Sequence, residues 1–426
     1  MNPWRTHRAS ELANLPDGVA ARLAGRVRAD ARGIALSDAS GTCRLTPHPE
    51  LQDGDVVSIA GSTRRDAFVV DAVTVLARPR RALASDAEFA RLGSAAMRAT
   101  LVAVARARDA FRACFVEQDF IEVETGTFTD EPGQEPYLEP LRLERTARWV
   151  VTSPELRLKR LLAAGFERVL EIGRVVRGGL GERSERHHPE FALAEWYRAF
   201  EDDAALIADL ERAFERCARA ATGRPEFVRA GRCARLDRGF ERISVADAFA
   251  RHAGVDLEPF LDGEFDAFRA AARTAGVPEV DDGADPESLF FRILLDRVEP
   301  KLGMERPTIL HSYPASMAAL AQLDPADRRV ARRFECYALG IELANGFVEL
   351  TDPVEQRARF EHERRVRALS GRDALPWPSR FLAALEIGLP PCAGVALGLE
   401  RVWMLILGKD RIDDVLTFPE LPDAIW

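Results

Sequence analysis

The chain has 426 residues, 47% hydrophobic and 30% charged, with a formal net charge of −9. That balance excludes a disordered chain, and the acidic sign argues against broad, non-specific binding to a nucleic-acid backbone. No stretch reaches the roughly 18 uninterrupted apolar residues of a membrane span, and Met1–Arg8 lacks the apolar core of a secretion signal, so a cytoplasmic protein is expected. The six cysteines (Cys43, Cys114, Cys217, Cys233, Cys336, Cys392) are scattered without a CxxC pair, which points to reduced thiols, not to a disulfide frame or zinc site. Arginine carries nearly all the positive charge: Lys159, Lys301 and Lys409 are the only lysines, a bias read as codon composition.

In chain order, Val19–Val27, Gly33–Leu36, Asp55–Ala60 and Phe68–Leu76 read as short strands, broken by turn signals at Asp38–Gly41 and Gln52–Asp55. Several short strands in about sixty residues fit a small OB-like barrel. Phe68 is the only aromatic residue between Gly18 and Arg78, so no platform for stacking bases is evident. Residues 1–82 are taken as this barrel domain, 83–92 as a linker and 93–426 as a catalytic domain. Helical periodicity over Ser94–Gln118 leads to a strand at Phe120–Thr125, and Asp202–Ala220 is again helical. Residues 222–302, with short helices and Gly/Pro breaks, read as a helical insertion. Strands return over Thr308–Leu350, a helix covers Pro353–Leu369, and a glycine-rich strand runs into a helix over Gly394–Leu407. Strands interspersed with helices, without regular βαβ alternation, predict an α+β fold around an antiparallel sheet.

Three clusters place polar residues in apolar, strand-like surroundings. In Thr152-Ser153-Pro154-Glu155, the Glu starts a helix, where its charge suits the macrodipole. Between Val169 and Tyr197, Arg174 and Arg177 precede a Gly/Arg/His-rich loop. Guanidinium groups there suit a polyphosphate, to which they pair bidentately. In the strand that follows, Phe191 could lie against a purine ring, and alternation puts Glu195 and Tyr197 on one face. Between Phe334 and Asp352, Glu335 and Glu342 flank a turn at Leu339-Gly340 and can approach across adjacent strands. Two such carboxylates repel unless a cation lies between them, and magnesium carried by ATP is the suitable hard ion. Asn345 and Glu349, four apart on a strand, share a face and could grip an amine. Gly394 and Gly398 allow close approach of backbone or ligand, with Arg401 opening the next helix.

Together, TSPELRLKRLL, HHPEFALAEWYR, YPASMAALAQL, RRFECYALGIELANGFVELTDPVEQRARFE and GVALGLERVWML resemble the class II lysyl-tRNA synthetase catalytic domain. They are most similar to its tRNA-independent branch, the elongation factor P lysine ligases. The resemblance covers residues 93–426. It implies a class II core, an antiparallel sheet flanked by helices, that activates lysine or (R)-β-lysine with ATP and magnesium and passes it to a lysine of elongation factor P. The alternatives are transfer to tRNA, or a catalytically silent paralogue acting as a binding module.

By the same resemblance, Arg177 holds the α-phosphate and substrate carboxylate, and Phe191 stacks on adenine with Arg401 on its opposite face, near the γ-phosphate. Glu182 and His187 frame ATP, and Glu335 and Glu342 bind magnesium. Glu155 and Glu195 meet substrate amino groups, Asn345 its carboxylate end, and Tyr197 with Glu349 its terminal ammonium. Ala396 stands where the ligases carry alanine and lysyl-tRNA synthetases usually carry glycine, a difference that accompanies acceptance of (R)-β-lysine. Two departures stand out. The loop from Arg177 to Glu182 runs about two residues longer than the family's motif 2, and Gly126 replaces the usual proline of motif 1, the segment that builds a homodimer.

Overall fold

The computed structural model describes residues 2–80, 87–179, 181–278, 280, 283 and 285–419. It separates into two compact units, Met1–Leu101 and Val102–Trp426.

The first unit is a five-stranded antiparallel sheet of β1 (Ala20–Asp30), β2 (Gly33–Ser37), β3 (Thr42–Arg44), β4 (Val56–Ser62) and β5 (Val69–Ala77), ordered β3-β2-β1-β4-β5. The sheet is not closed along its length. A single parallel bridge, Leu45 to Phe68, joins the end of β3 to the start of β5, which is consistent with an OB-like arrangement. Strand β3 escapes the sequence reading because it has three residues, too few for alternation to show. The turn before it forms as expected: Asp38 Oδ1 accepts the backbone N–H groups of Ser40 and Gly41, an Asx turn. Phe68 is buried with Leu23, Val27, Leu36, Val57 and Ile59 in the unit's core, which accounts for the lone aromatic residue between Gly18 and Arg78. Of the stretch expected as a linker, 83–86 lie outside the described residues, and the remainder is helix α1 (Ala87–Leu92).

Beyond α2 (Ala95–Val116) the second unit is built on an eight-stranded sheet, ordered β13-β14-β15-β16-β17-β10-β9-β6. Its strands are β6 (Ile121–Glu122), β9 (Arg168–Val176), β10 (Glu190–Ala199), β13 (Glu241–Ser244), β14 (Thr308–Pro314), β15 (Val330–Ala338), β16 (Ile341–Val348) and β17 (Cys392–Gly398). Only the outermost pairs, β13 with β14 and β6 with β9, are parallel. The strand expected over Phe120–Thr125 contracts to two residues, β6. Two small antiparallel pairs lie outside the sheet: β7 (Phe128–Thr129) with β8 (Trp149–Val150), and β11 (Glu226–Arg229) with β12 (Arg232–Arg235). The second pair and β13 replace the first part of the expected helical insertion. Four short helices follow: α5 (Val245–Ala248), α6 (Glu258–Leu261), α7 (Phe265–Thr274) and α8 (Pro286–Ile293). They share a core built around Phe249, Phe260, Phe268 and Phe290.

One face of the large sheet is apolar. Ala192, Ala194, Trp196, Ala344, Val395 and Leu397 pack against α2, α4 (Asp203–Thr222) and α11 (Leu399–Ile406). Helix α4 is bounded as its sequence dictates. The Asp202 side chain caps its N-terminus, and Gly223 ends it at φ +80°. The other face is partly covered by α3 (Glu155–Ala163), α9 (Pro353–Leu369) and α10 (Ser379–Gly388), with Leu158, Phe360 and Phe381 in the contact. Helix α9 begins where Asp352 accepts the N–H groups of Val354 and Glu355 and Pro353 fills the first turn. Gly126 has φ +92°, a conformation closed to proline, whose ring fixes φ near −65°. Arg157 donates to the carbonyls of Thr125 and Gly126 and holds the turn there. Among the described residues no helix is long and apolar enough to cross a membrane, and all six cysteines are free.

Candidate active site

The uncovered part of the second face is the floor of a 510 Å³ cavity. Strand pairing lays one row of residues across five strands: Glu171, Glu195, Ala396, Asn345 and Glu335 are successive partners on β9, β10, β17, β16 and β15. Residues directly opposite one another share a face, so this row faces the cavity side. Phe191, Leu193 and Tyr197 flank it by simple alternation along β10.

Two irregularities bring further side chains to the same face. Between β15 and β16 the register shifts after Cys336, so Tyr337 pairs with Glu342 instead of Leu343. This bulge puts Glu342 on the face of Glu335, although it lies three positions, an odd number, from Asn345. A second shift lies between His311 and Tyr313, where Ser312 has φ +59°, and it turns Tyr313 toward Glu335. Bulges commonly re-aim side chains beside functional sites.

Of the residues expected at the site, Glu155, Arg177, Glu182, His187, Phe191, Glu342, Asn345, Ala396 and Arg401 all line the one cavity. Glu195, Tyr197, Glu335 and Glu349 do not. They lie beneath the lining, with 1%, 2%, 7% and 0% of their surface exposed. Arg174 points to the opposite face and pairs with Glu400 at 3.0 Å, so only one of the two strand arginines reaches the cavity. Arg401 is the third residue of α11, not its first. Leu180, within the extended motif 2 loop, lies outside the described residues, and Glu182 beyond it still reaches the lining.

One end of the cavity is cationic. The Arg177 guanidinium lies 5.2 Å from the centre of the Phe191 ring. Arg401 donates to the Glu342 carbonyl at 2.8 Å and to the Arg186 carbonyl at 3.2 Å, and its guanidinium is 3.6 Å from the Glu342 carboxylate. Burial, together with Arg401, Arg186 and Arg177, pushes His187 down to about 4. Its imidazole is therefore neutral near pH 7, with Nδ1 2.8 Å from Ser184 Oγ. Three guanidinium groups converge on this end. Arg401 and Arg186 each have one carboxylate within 4 Å, Glu342 and Glu299, and with Arg177 they form a site for a polyanion.

The floor beside it is acidic. Glu335 accepts the hydroxyls of Tyr313 and Tyr337, each at 2.5 Å, and Arg333 at 2.6 Å. Burial and the neighbouring Glu335 raise the Glu342 carboxyl, and burial with Glu342 raises Glu299 to about 7. Among the described residues no group of three or more His, Cys, Asp or Glu side chains is placed to hold a metal by itself. Glu335 and Glu342 nevertheless suit magnesium that arrives on a nucleotide, which takes one or two carboxylates with phosphate oxygens completing its shell.

At the far end Glu195 accepts the hydroxyls of Ser153 at 2.7 Å and Tyr197 at 2.6 Å. Burial and Glu155 push its carboxyl up to about 8. Beside it lies a residue the sequence reading passed over. Lys159 Nζ is 2.5 Å from both Glu155 Oε1 and Glu349 Oε2, and its side chain is fully buried. Glu349 thus already faces an ammonium supplied by the chain. Burial raises Glu349 to about 8 against the pull of Lys159, with Glu155 adding to the rise. Arg186 and Arg333 were also missed. The signal for Lys159 was its rarity, whereas the two arginines lie in a chain rich in arginine.

Comparison with known proteins agrees with this geometry. Residues 81–422 match the family described as tRNA synthetases class II (D, K and N). The chain belongs to this class II synthetase family. Its relatives include proteins named elongation factor P–(R)-β-lysine ligase. That of Proteus mirabilis (strain HI4320) is 37% identical over 331 residues, 75% of this chain and 95% of the relative. That of Klebsiella pneumoniae (strain 342) is 37% identical over 316 residues, 72% of this chain and 90% of the relative. That of Vibrio cholerae serotype O1 is 36% identical over 317 residues, 72% of this chain and 91% of the relative. This class II synthetase is accordingly an ATP-dependent ligase, and the sheet that carries its cavity is the antiparallel sheet of the class II core.

Proposed function

We propose that the chain activates lysine or (R)-β-lysine with ATP and transfers the aminoacyl group to a lysine ε-amine of elongation factor P. The observation that carries this reading is the polarity of one cavity. Arg177, Arg186 and Arg401 surround a neutral His187 at one end, and Glu155 opens the other above the buried Glu195, Glu349 and Lys159. A polyphosphate and a cationic amino acid fit such a gradient in one orientation, with their reacting groups meeting between. The names of the relatives support the same substrates.

In the first step a substrate carboxylate oxygen attacks the α-phosphorus of ATP and pyrophosphate leaves. No protein nucleophile is needed. Arg177 holds the α-phosphate and carboxylate, Phe191 and Arg401 enclose the base, and Glu182 and His187 frame the nucleotide. Asn345 and Ala396 shape the pocket at the carboxylate end. Magnesium held by Glu335 and Glu342 would neutralise phosphate charge. Catalysis comes from alignment and from charges preorganised in a buried site. In the second step the acceptor amine attacks the carbonyl carbon of the mixed anhydride and AMP leaves.

We also propose a cytoplasmic homodimer. Val102, Val116, Ile121 and Phe128, at and near the motif 1 segment, are 43–67% exposed, more apolar surface than a lone subunit needs there. Residues 1–82 are proposed as a separate OB-like domain.

The test is ATP–pyrophosphate exchange with both lysine isomers, followed by transfer. Elongation factor P should gain the mass of one lysyl unit. Labelled tRNA in its place would identify a tRNA synthetase, and exchange with no amino acid would identify a binding module.

A further inference from the structure

The composition and the site meet at one residue. Of 59 basic residues three are lysine, and one of the three is buried under the cavity floor. Arginine serves nearly everywhere else in this chain, so position 159 stands out as one that needs an ammonium. The geometry shows why. Lys159 and Glu155 lie one turn apart on α3, and Nζ is 2.5 Å from Glu155 Oε1 and 2.5 Å from Glu349 Oε2. The rings of Tyr197 and Phe381 bound the same space, with centres 5.9 and 5.8 Å from Nζ. A compact ammonium donates in three directions from a point, whereas a planar guanidinium needs a wider slot.

We infer that Lys159 is a positioning residue for the amino-acid substrate, a built-in counter-ion that ties Glu155 to Glu349 and leaves the cavity side of Glu155 for the incoming ammonium. This rests on the reading that the substrate is a cationic amino acid. Glu155 lines the cavity and Glu349 does not, so Lys159 links the carboxylate that meets the substrate to one sealed below. Without this cation, Glu155, Glu195 and Glu349 would share a buried space unopposed. Glu195 and Glu349 already sit at about 8 beside this cation. Without it they would keep their protons to higher pH still, and a neutral acid attracts an ammonium poorly. Asymmetry is the other effect. With one Glu155 oxygen engaged, the carboxylate has one side left to present.

The test is ATP–pyrophosphate exchange by the full chain, comparing the parent with Lys159→Met, Lys159→Arg and Lys159→Met/Glu349→Gln. Lys159→Met should raise the KM for lysine or β-lysine at least about 30-fold, a loss typical of an unpaired buried charge, while the KM for ATP stays within about twofold. Lys159→Arg should not restore it. Lys159→Met/Glu349→Gln, which removes the unmatched carboxylate as well, should recover most of the loss. A filler of space would show no such rescue. The inference fails if Lys159→Met keeps the parent's amino-acid KM, or if the double variant is no better than Lys159→Met. If Lys159→Met does not fold, the double variant is compared with Glu349→Gln, and a lower amino-acid KM in Glu349→Gln would sink the proposal, because an unmatched Lys159 should repel the substrate. A parent that exchanges with no cationic amino acid overturns the functional reading itself, a result distinct from a parent that exchanges and a Lys159→Met variant that matches it.

Discussion

Tyr337 faces Glu342 across β15 and β16, one residue out of step with the pairing of Glu335 and Asn345. That single shift separates the roles of the two glutamates. Glu335 is held by Tyr313, Tyr337 and Arg333, whereas Glu342 keeps a carboxylate open to the cavity. Glu342→Gln should lower exchange roughly 100-fold, the usual scale for losing one preorganised charge-stabilising group, and move the magnesium optimum upward. Its stability should not fall, because burial and Glu335 already disfavour its charge. Glu335→Gln, at the other proposed magnesium ligand, should lower exchange as well and in addition cost about 3 kcal/mol, since it removes the carboxylate partner of the largely buried Arg333. Urea midpoints and exchange rates, measured on both variants, separate the two effects.

Phe191 offers its ring to the cavity beside Arg177. Phe191→Ala should raise the KM for ATP roughly tenfold, matching about 1–1.5 kcal/mol for a lost stacking contact. The KM for the amino acid should be unchanged. Equal effects on both substrates would place the adenine elsewhere.

The amino-acid end should respond to pH. Burial, with Glu155, raises Glu195 and Glu349 to about 8, so in the free protein they hold protons below that pH. An ammonium substrate pairs with the ionised form. Its KM should therefore fall as pH rises toward about 8, by up to about tenfold per unit for one coupled proton. Stability has the opposite sign. Carboxyls whose folded pKa lies above the unfolded value of about 4.3 favour folding at low pH and lose that contribution as pH rises through 8. Thermal midpoints of the free protein should decline over that window, and saturating amino acid should offset the decline.

Gly126→Pro, which restores the usual motif 1 residue, should destabilise the protein. The position has φ +92°, which proline cannot adopt, and a mismatch of that kind costs on the order of 2–3 kcal/mol. Chemical denaturation gives the loss directly. A neutral or stabilising result would show that this turn rearranges.

Much of this was legible beforehand, and for physical reasons. Alternation along β10 put Glu195 and Tyr197 on one face, and Asp352-Pro353 marked the start of α9 at the observed residue. Alternation reports a face but not a depth. The sequence therefore did not distinguish Asn345 on the cavity wall from Glu349 sealed beneath it. Nor does a bulge leave a local compositional trace, so the pairing of Glu342 with Tyr337 was hidden even though the turn at Leu339-Gly340 was not. Glu155 and Lys159 look in sequence like a solvated pair one helical turn apart. Only the packing of Phe381 and Tyr197 around them turns that pair into an interior one.

The scarcity of lysine bears on the fate of the activated intermediate. A mixed anhydride is an acylating reagent, and one that escapes can react with any free amine it meets. On this chain it would find two amino side chains in contact with solvent, Lys301 and Lys409. Lys159, the nearest, is clasped by two carboxylates as an ammonium and has no lone pair with which to attack. The protein thus handles an amine-reactive compound while offering it few amines of its own.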